Sequence, residues 1–202
     1  MASRFGLLMV AAGLALPTVA DAASIHEKTT YFAVRGATLG ELDRDLNNHG
    51  PFVADTGIRH PGATEVKFDG KVTYKATPEG CAVDRTNLSL QLETTLPRWI
   101  EPKRVSPRTK LIWETLEKDI RRHEARHSAI AKHWLKRMES AIRNLRPERT
   151  CQSMEAMVNT VTRRYLAGHE RAQIEFDTIE GREVNFRLRK AFSRAISEQA
   201  SN

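Results

Sequence analysis

A long helical pattern in the second half of the chain constrains the fold most. It begins at Ser106-Pro107, where serine can cap a helix and proline suits the first helical position, and it continues to about Leu145. A second helical pattern runs from near Ser153 to about Asp177. The connection around Pro147 to Cys151 is short, so the sequence predicts that these two helices pack antiparallel.

The first of these helices carries the sequence His123-Glu124-Ala125-Arg126-His127. Residues four apart share one face of a helix, so His123 and His127 can offer two imidazoles to one metal ion. Glu124 follows the first histidine and is placed to act as a general base toward water at that ion. Both histidines fall on an apolar stripe that comprises Leu116, Ile120, His123, His127, Ile130 and Trp134. The pattern therefore predicts a metal site, most simply zinc, inside a helix interface.

A zinc site of this type needs a third protein ligand. His133 is rejected, because on a continuous helix it lies about 15 Å along the axis from His123. In the second helix His169 lies on the inward stripe, and equal rise on both sides of the turn brings it opposite His127. His169 is the predicted third ligand, and Glu170 and Asp177 are the alternatives.

The N-terminal half predicts a small antiparallel sheet with one short helix, so the fold class is α+β. Thr38 and Glu41 form a capping box that opens the helix, and Gly50-Pro51 ends it. Strands are predicted at Thr29–Val34 and Val83–Thr94. Between them, apolar residues alternate through Val66, Phe68, Val72 and Tyr74, with a hairpin turn or a bulge predicted at Asp69-Gly70. A linker is predicted from Leu96-Pro97-Arg98-Trp99 to Ser106-Pro107.

The first residues predict an export signal over 1–22. Arg4 precedes an apolar run from Gly6 to Leu16, and Ala20-Asp21-Ala22 supplies a small-x-small cleavage pattern. The protein is then periplasmic or secreted, with one domain over 23–183. In an oxidising compartment an even pair of cysteines is most simply one disulfide, here between Cys81 and Cys151.

The net charge is +7, and the segment 184–202 predicts a basic amphipathic tail around Leu188, Phe192 and Ile196. Such a chain can adhere to an anionic envelope surface. Export and the lack of a basic patch interleaved with aromatic residues argue against a nucleic-acid partner.

Several short motifs occur along the chain in a characteristic order. They are Tyr31-Phe32-Ala33-Val34-Arg35-Gly36-Ala37-Thr38 leading into Glu41-Leu42, then Cys81-Ala82-Val83, Leu96-Pro97-Arg98-Trp99, His123-Glu124-Ala125-Arg126-His127, Cys151 and Gln173-Ile174-Glu175-Phe176-Asp177. This order resembles a bacterial domain-of-unknown-function family described as predicted secreted zinc-dependent proteases, over about Thr30 to Glu183. The resemblance implies a zinc peptidase with a peptide or protein substrate.

The chain departs from the family pattern at two points. The stretch from Phe176 to Glu183 lacks the late histidine that the family tends to carry, and Arg126 places a charge inside the motif. The sequence therefore supports an amide-hydrolysing zinc peptidase first. The alternative is a non-catalytic envelope-binding protein, with or without a structural metal.

Overall fold

The computed structural model describes residues 23–54 and 56–200, so the predicted signal peptide at 1–22 lies outside the described residues. Strands fill the first half and two long helices fill the second, which confirms the α+β class. The elements in chain order are β1 (Ser24–Arg35), α1 (Leu39–His49), β2 (Phe52–Val53), β3 (Ile58–Arg59), β4 (Ala63–Thr77), β5 (Gly80–Ile100), α2 (Pro107–Arg143) and α3 (Cys151–Ala200). Within the described part of the chain, no helix is both long and apolar enough to cross a membrane.

The main sheet has the order β1-β5-β4 and is mixed. β4 and β5 form an antiparallel pair, whereas β1 runs parallel to β5, from Ser24 beside Ser89 to Arg35 beside Ile100. The prediction of a purely antiparallel sheet was therefore wrong. Parallel neighbours need a crossover connection, and here α1 and the short β2–β3 pair lie between the two strands in sequence.

Asp69-Gly70 is neither a turn nor a bulge, contrary to the prediction. Both residues stay in register with β5, and the register shift falls between Thr73 and Tyr74. A Cβ atom on Gly70 would lie 2.6 Å from the carbonyl oxygen of Asn87, so glycine here permits a close approach of two strands. The actual hairpin turn joins Thr77 to Gly80.

β5 continues through Leu96-Pro97-Arg98-Trp99, which were wrongly predicted to begin a linker. Proline is disfavoured in a central strand because it lacks an N–H donor. The pairing of β5 with β4 stops at Thr95, so Pro97 is paired with β1 alone and needs no second partner.

The short helix α1 confirms the capping box, because the Thr38 hydroxyl accepts from Glu41 N and the Glu41 carboxylate accepts from Thr38 N. α2 begins as predicted, with Ser106 as its cap. It covers one face of the sheet, and the core between them comprises Leu88, Leu90 and Leu92 of β5 with Ala131, Leu135, Met138 and Ile142 of α2.

α3 is one continuous helix of 50 residues. The prediction of a break after Asp177 and a separate tail helix was wrong. Gly181 is the weakest position for a helix in this region, at a cost of about 1 kcal/mol relative to alanine. The ion pair from Arg187 to Asp119 of α2 holds the next turns against that helix, and a second pair from Arg187 to Glu180 lies within α3 across Gly181.

The disulfide between Cys81 and Cys151 is present, as predicted. It joins the start of β5 to the first residue of α3. Beside it, Cys81 and Glu148 exchange two backbone hydrogen bonds, of 2.7 and 2.9 Å. These bonds fix the connection between α2 and α3 to the sheet, and with it the position of α3.

Candidate metal centre

His123 and His127 face α3 from neighbouring turns of α2. Their Nε2 atoms are 3.0 Å apart, and their rings meet edge to face with centroids separated by 4.7 Å. Two imidazole nitrogens at this distance share one proton or one metal ion, since two protonated nitrogens would repel each other. The side chains are 30% and 14% exposed, so the pair lies near the protein surface but largely out of solvent.

Asp177 of α3 completes a cluster with the two histidines. Its Oδ1 atom lies 3.3 Å from Nε2 of His123 and 3.1 Å from Nε2 of His127. These three side chains could hold a metal ion between them. The carboxylate is 53% exposed, so the cluster is open to solvent on the Asp177 side.

His169, the predicted third ligand, lies two helical turns before Asp177 and is linked to the cluster through Gln173. Nε2 of Gln173 is 2.9 Å from Nε2 of His169 and 3.2 Å from the backbone oxygen of His127. The ring of His169 packs against Phe68, with centroids 5.0 Å apart. The structure thus places Asp177, one of the two alternatives, with the histidine pair. Glu170, the other alternative, is exposed.

Gln173 also fixes the tautomer of His127. Its Nε2 group donates to the His127 carbonyl, so its Oε1 atom is the acceptor for Nδ1 of the same histidine, at 2.7 Å. Nδ1 therefore carries the proton, and Nε2 presents a free electron pair toward Asp177. This supporting hydrogen bond is typical of metal-ligating histidines.

His123 has a carboxylate behind it. Oε2 of Glu180 lies 3.6 Å from Nδ1 of His123, and the same oxygen accepts from Arg187 Nη2 at 2.9 Å and closely contacts Arg122. Burial alone would raise the pKa of Glu180, but hydrogen bonding and charge from Arg122, with the charge of Arg187, outweigh it and lower that pKa. Arg187 in turn donates hydrogen bonds to both carboxylate oxygens of Asp119, at 2.7 and 3.1 Å. A charged network thus joins α2 to α3 beside the cluster.

Glu124 is buried on the sheet side of α2, with 4% of its surface exposed. The hydroxyl of Thr64, at the start of β4, donates to its Oε2 atom at 2.8 Å. A Cβ atom on Gly62 would come within 3.1 Å of Oε1, so the chain before β4 also packs closely against this carboxylate. Desolvation raises the pKa of Glu124, and the Thr64 hydrogen bond and the nearby His127 only partly oppose it.

Burial lowers the pKa of two histidines, whereas it raises the pKa of Glu124. Desolvation, with the charge of His127, lowers the pKa of His123 even though Asp177 and Glu180 pull it upward. Desolvation also lowers the pKa of His169. Both side chains are thus kept neutral near pH 7, and a neutral imidazole is the form that binds a metal.

Arg126 and His133 lie away from the cluster. They line a groove of about 440 Å³ between α2 and α3, whose walls include Trp134 and Phe176. The Phe176 ring lies 4.9 Å from the His123 ring and 5.0 Å from the His127 ring, centroid to centroid, so it separates the groove from the cluster. His133 is exposed and is not among the three described residues of the cluster.

Sequence reasoning gave no role to Thr64, Gln173 or Glu180. Gln173 lies four residues after His169 and four before Asp177, and Glu180 lies eleven residues after His169 and three after Asp177. These helical spacings place both residues on the side of α3 that carries the candidate ligands, so the sequence could have indicated them. For Thr64 there was none, because its contact with Glu124 spans 60 residues of sequence.

Comparison with known proteins identifies a family but no activity. A family model described as a bacterial protein of unknown function, DUF922, matches residues 29–183. No curated protein matches the chain, and no solved structure does. Over three quarters of its length, the chain therefore belongs to the DUF922 family of bacterial proteins of unknown function.

Proposed function

We propose that the protein is a secreted or periplasmic zinc-dependent peptidase that hydrolyses amide bonds. The site lies in the antiparallel helix hairpin of α2 and α3, with His123, His127 and Asp177 as ligands. One observation carries the proposal: three donor atoms converge next to a buried glutamate, at separations of 3.0, 3.1 and 3.3 Å.

These separations fit zinc. Bonds of about 2.0–2.1 Å in a tetrahedral arrangement place neighbouring ligand atoms about 3.3 Å apart. Two nitrogens and one carboxylate oxygen are also a donor set that zinc accepts, with a fourth position open for water or substrate. The exposure of Asp177 leaves the cluster accessible to water and substrate.

The protein supplies the ligand state that such a site needs. His127 is held with its proton on Nδ1 by Gln173, and burial keeps His123 neutral. Glu180 lies behind Nδ1 of His123 at the position that a carboxylate often occupies behind a zinc-binding histidine. The ligands are therefore oriented before any ion binds.

The chemistry then divides between the ion and Glu124. His123, His127 and Asp177 would hold the zinc ion, which would supply Lewis acidity toward a scissile carbonyl and toward water. Glu124 accepts the proton of the attacking water and passes it to the leaving amine. Its raised pKa suits both tasks, because a group that takes up a proton and then gives it away works best when its pKa is nearer to the operating pH than that of an ordinary glutamate. The Thr64 hydroxyl holds one carboxylate oxygen and leaves the other for the proton.

Export of this protein is supported by its disulfide. A bond between Cys81 and Cys151 persists in an oxidising compartment and is rare in a reducing one. The periplasm or the cell exterior is thus the proposed location, in agreement with the signal pattern in 1–22.

The decisive experiment measures metal and hydrolysis together. Protein purified without chelator should contain about one zinc per chain by elemental analysis. It should cleave members of a peptide library, and Glu124→Gln should abolish cleavage while zinc stays bound. Absence of zinc would overturn the metal site. Zinc that is retained with no cleavage by the wild type would instead identify a non-catalytic metal-binding protein.

A further inference from the structure

Exposed basic side chains follow the side of α2 that faces away from the sheet. Ala131, Leu135 and Met138 of α2 are buried against the sheet. The opposite positions carry Arg126, His133, Lys136 and Arg137, all of them exposed. Arg126 and His133 are seven residues apart, so they lie two turns apart on one side of the helix.

α3 continues this charged surface and adds apolar side chains to it. Ile179 and Phe186 are seven residues apart and are 47% and 66% exposed. Arg182, Arg189 and Lys190 flank them and are also exposed. Phenylalanine is seldom so exposed on a folded protein without a partner, because its ring buries a large apolar area when it finds one.

The groove between α2 and α3 joins the two helices into one surface, since Arg126, His133 and Ile179 all line it. We name this surface the basic face. It comprises Arg126, His133, Lys136, Arg137, Ile179, Arg182, Phe186, Arg189 and Lys190. Glu175 also lines the groove and Glu183 follows Arg182 in the chain, but the six arginines and lysines outnumber these two carboxylates, so the face is net positive.

We propose that the basic face binds the surface of an anionic lipid bilayer. Its arginines and lysines meet the phosphate headgroups, while Phe186 and Ile179 enter the boundary between headgroups and acyl chains. The sequence showed no basic patch interleaved with aromatic residues, but the structure places Phe186 among the cations, where it could stack on a base. Ile179, however, is aliphatic and neither stacks on a base nor pairs with a phosphate, so the face as a whole fits lipid better than nucleic acid. The apolar residues among the cations therefore select lipid.

This surface also gives Arg126 a role. Arg126 lines the groove, and the Phe176 ring in the wall of that groove packs against the two histidine rings. As a member of the basic face, Arg126 lies on the side of α2 that meets the headgroups. Membrane binding and the metal centre thus use different sides of the same two helices.

Vesicle co-sedimentation of the purified protein tests the proposal. The probe is a vesicle of phosphatidylcholine and phosphatidylglycerol in equal parts, compared with phosphatidylcholine alone. Only the anionic vesicle should bind the protein, and binding should weaken as salt is added. Each cation near the surface is worth about fivefold in affinity, so R126Q/R182Q/K190Q should reduce binding about a hundredfold. Phe186→Ser should weaken binding with no change in net charge.

The matched control removes cations elsewhere. Lys67, Lys71 and Arg85 are exposed on β4 and β5, and K67Q/K71Q/R85Q changes the net charge by the same amount. This control should keep most of the binding. Equal losses in the two triple variants would show that net charge alone acts and would overturn the assignment of a face. Tighter binding to duplex DNA than to anionic vesicles at the same salt would overturn the choice of lipid.

Discussion

Gln173 holds His127 through both ends of its amide group. Its Oε1 atom accepts from Nδ1 of the ring at 2.7 Å, and its Nε2 group donates to the backbone oxygen of the same residue at 3.2 Å. The amide cannot rotate without losing both bonds. It therefore fixes the ring plane and the tautomer of His127, and it places the free Nε2 toward Asp177.

Loss of this clamp should weaken metal binding without unfolding the protein. We expect Gln173→Leu to lower zinc affinity about 10- to 100-fold, which is the usual cost of removing a group that supports a ligand. Competition with a chromogenic chelator measures the affinity. Gln152→Leu, at an exposed position of the same helix, should leave the affinity unchanged. An unchanged affinity in Gln173→Leu would show that His127 needs no support from α3.

If Asp177 rather than His169 is the third ligand, substitutions at the two positions should lower zinc affinity by different amounts. Asp177→Ala removes an oxygen that lies 3.1–3.3 Å from both histidine nitrogens, so its loss of zinc affinity should exceed that of any supporting group. His169→Ala removes only an acceptor for Gln173, and we expect a loss of no more than about tenfold. Titration of both variants with zinc separates the two assignments. The reverse order of affinities would restore His169 as the ligand.

Local rules predicted the parts of the fold that are set by nearby residues. The caps at Thr38 and Ser106 lie within three residues of the groups they bind. Strand order was a different problem, because the parallel pairing of β1 with β5 depends on a crossover of more than 40 residues. The continuity of α3 past Gly181 likewise depends on Arg187 meeting Asp119, a contact across 68 residues.

In the candidate site too, the residues within one helix could be predicted, but the contacts between helices could not. His123, Glu124 and His127 share one helix and could be found from their spacing alone. The level of α3 relative to α2 was estimated from equal rise on each side of the turn, which places His169 opposite His127. In the structure Gln173, one turn later, has that position. An offset of four residues is about 6 Å along a helix axis, enough to exchange one candidate ligand for another.

Burial of Glu124 should make the metal-free protein sensitive to pH. The pKa of this carboxyl is raised in the folded protein, so the folded state binds the proton more tightly than the unfolded state does. The free energy of unfolding should therefore fall as pH rises from the ordinary glutamate pKa through the raised one. Glu124→Gln should be more stable than the wild type at neutral pH, and the difference should vanish at acidic pH. Urea unfolding in the presence of chelator, at several pH values, measures this.

The pKa shifts of His123 and His169 have the opposite effect on the pH dependence of stability. Their pKa values are lowered in the folded state, so the unfolded state takes up protons first as the pH falls below about 6.5. Their contribution is complete above that pH and is lost during acidification. Zinc affinity should decline over the same range, since protons compete for the ligands. His133→Gln, at an exposed position outside the cluster, is the control and should leave both profiles unchanged.

The disulfide should contribute substantially to stability. Cys81 and Cys151 are separated by 70 residues, and closing a loop of that length removes enough entropy from the unfolded chain to stabilise the fold by about 4 kcal/mol. C81S/C151S should lower the free energy of unfolding by about that amount in denaturant titrations. Reduction of the wild type should give the same result. A loss well under 1 kcal/mol would show that the backbone pairing of Cys81 with Glu148 already fixes this connection.

Arg187 tests whether the chain beyond the family match supports the metal centre. The match ends at residue 183, yet Arg187 binds Asp119 at 2.7 Å and Glu180 at 2.9 Å, and Glu180 lies behind His123. Arg187→Gln should free Glu180 to move, and we expect a loss of about tenfold in zinc affinity with the fold retained.

Arg189→Gln is the control for this prediction, because it removes the same charge from an exposed position two residues away. Glu180→Gln should reproduce the effect of Arg187→Gln, and the double variant should lose little more than either single one, since both act through His123. Additive losses would mean that Arg187 acts on the site by a route other than Glu180. A double-mutant cycle on zinc affinity measures the coupling between the two residues directly.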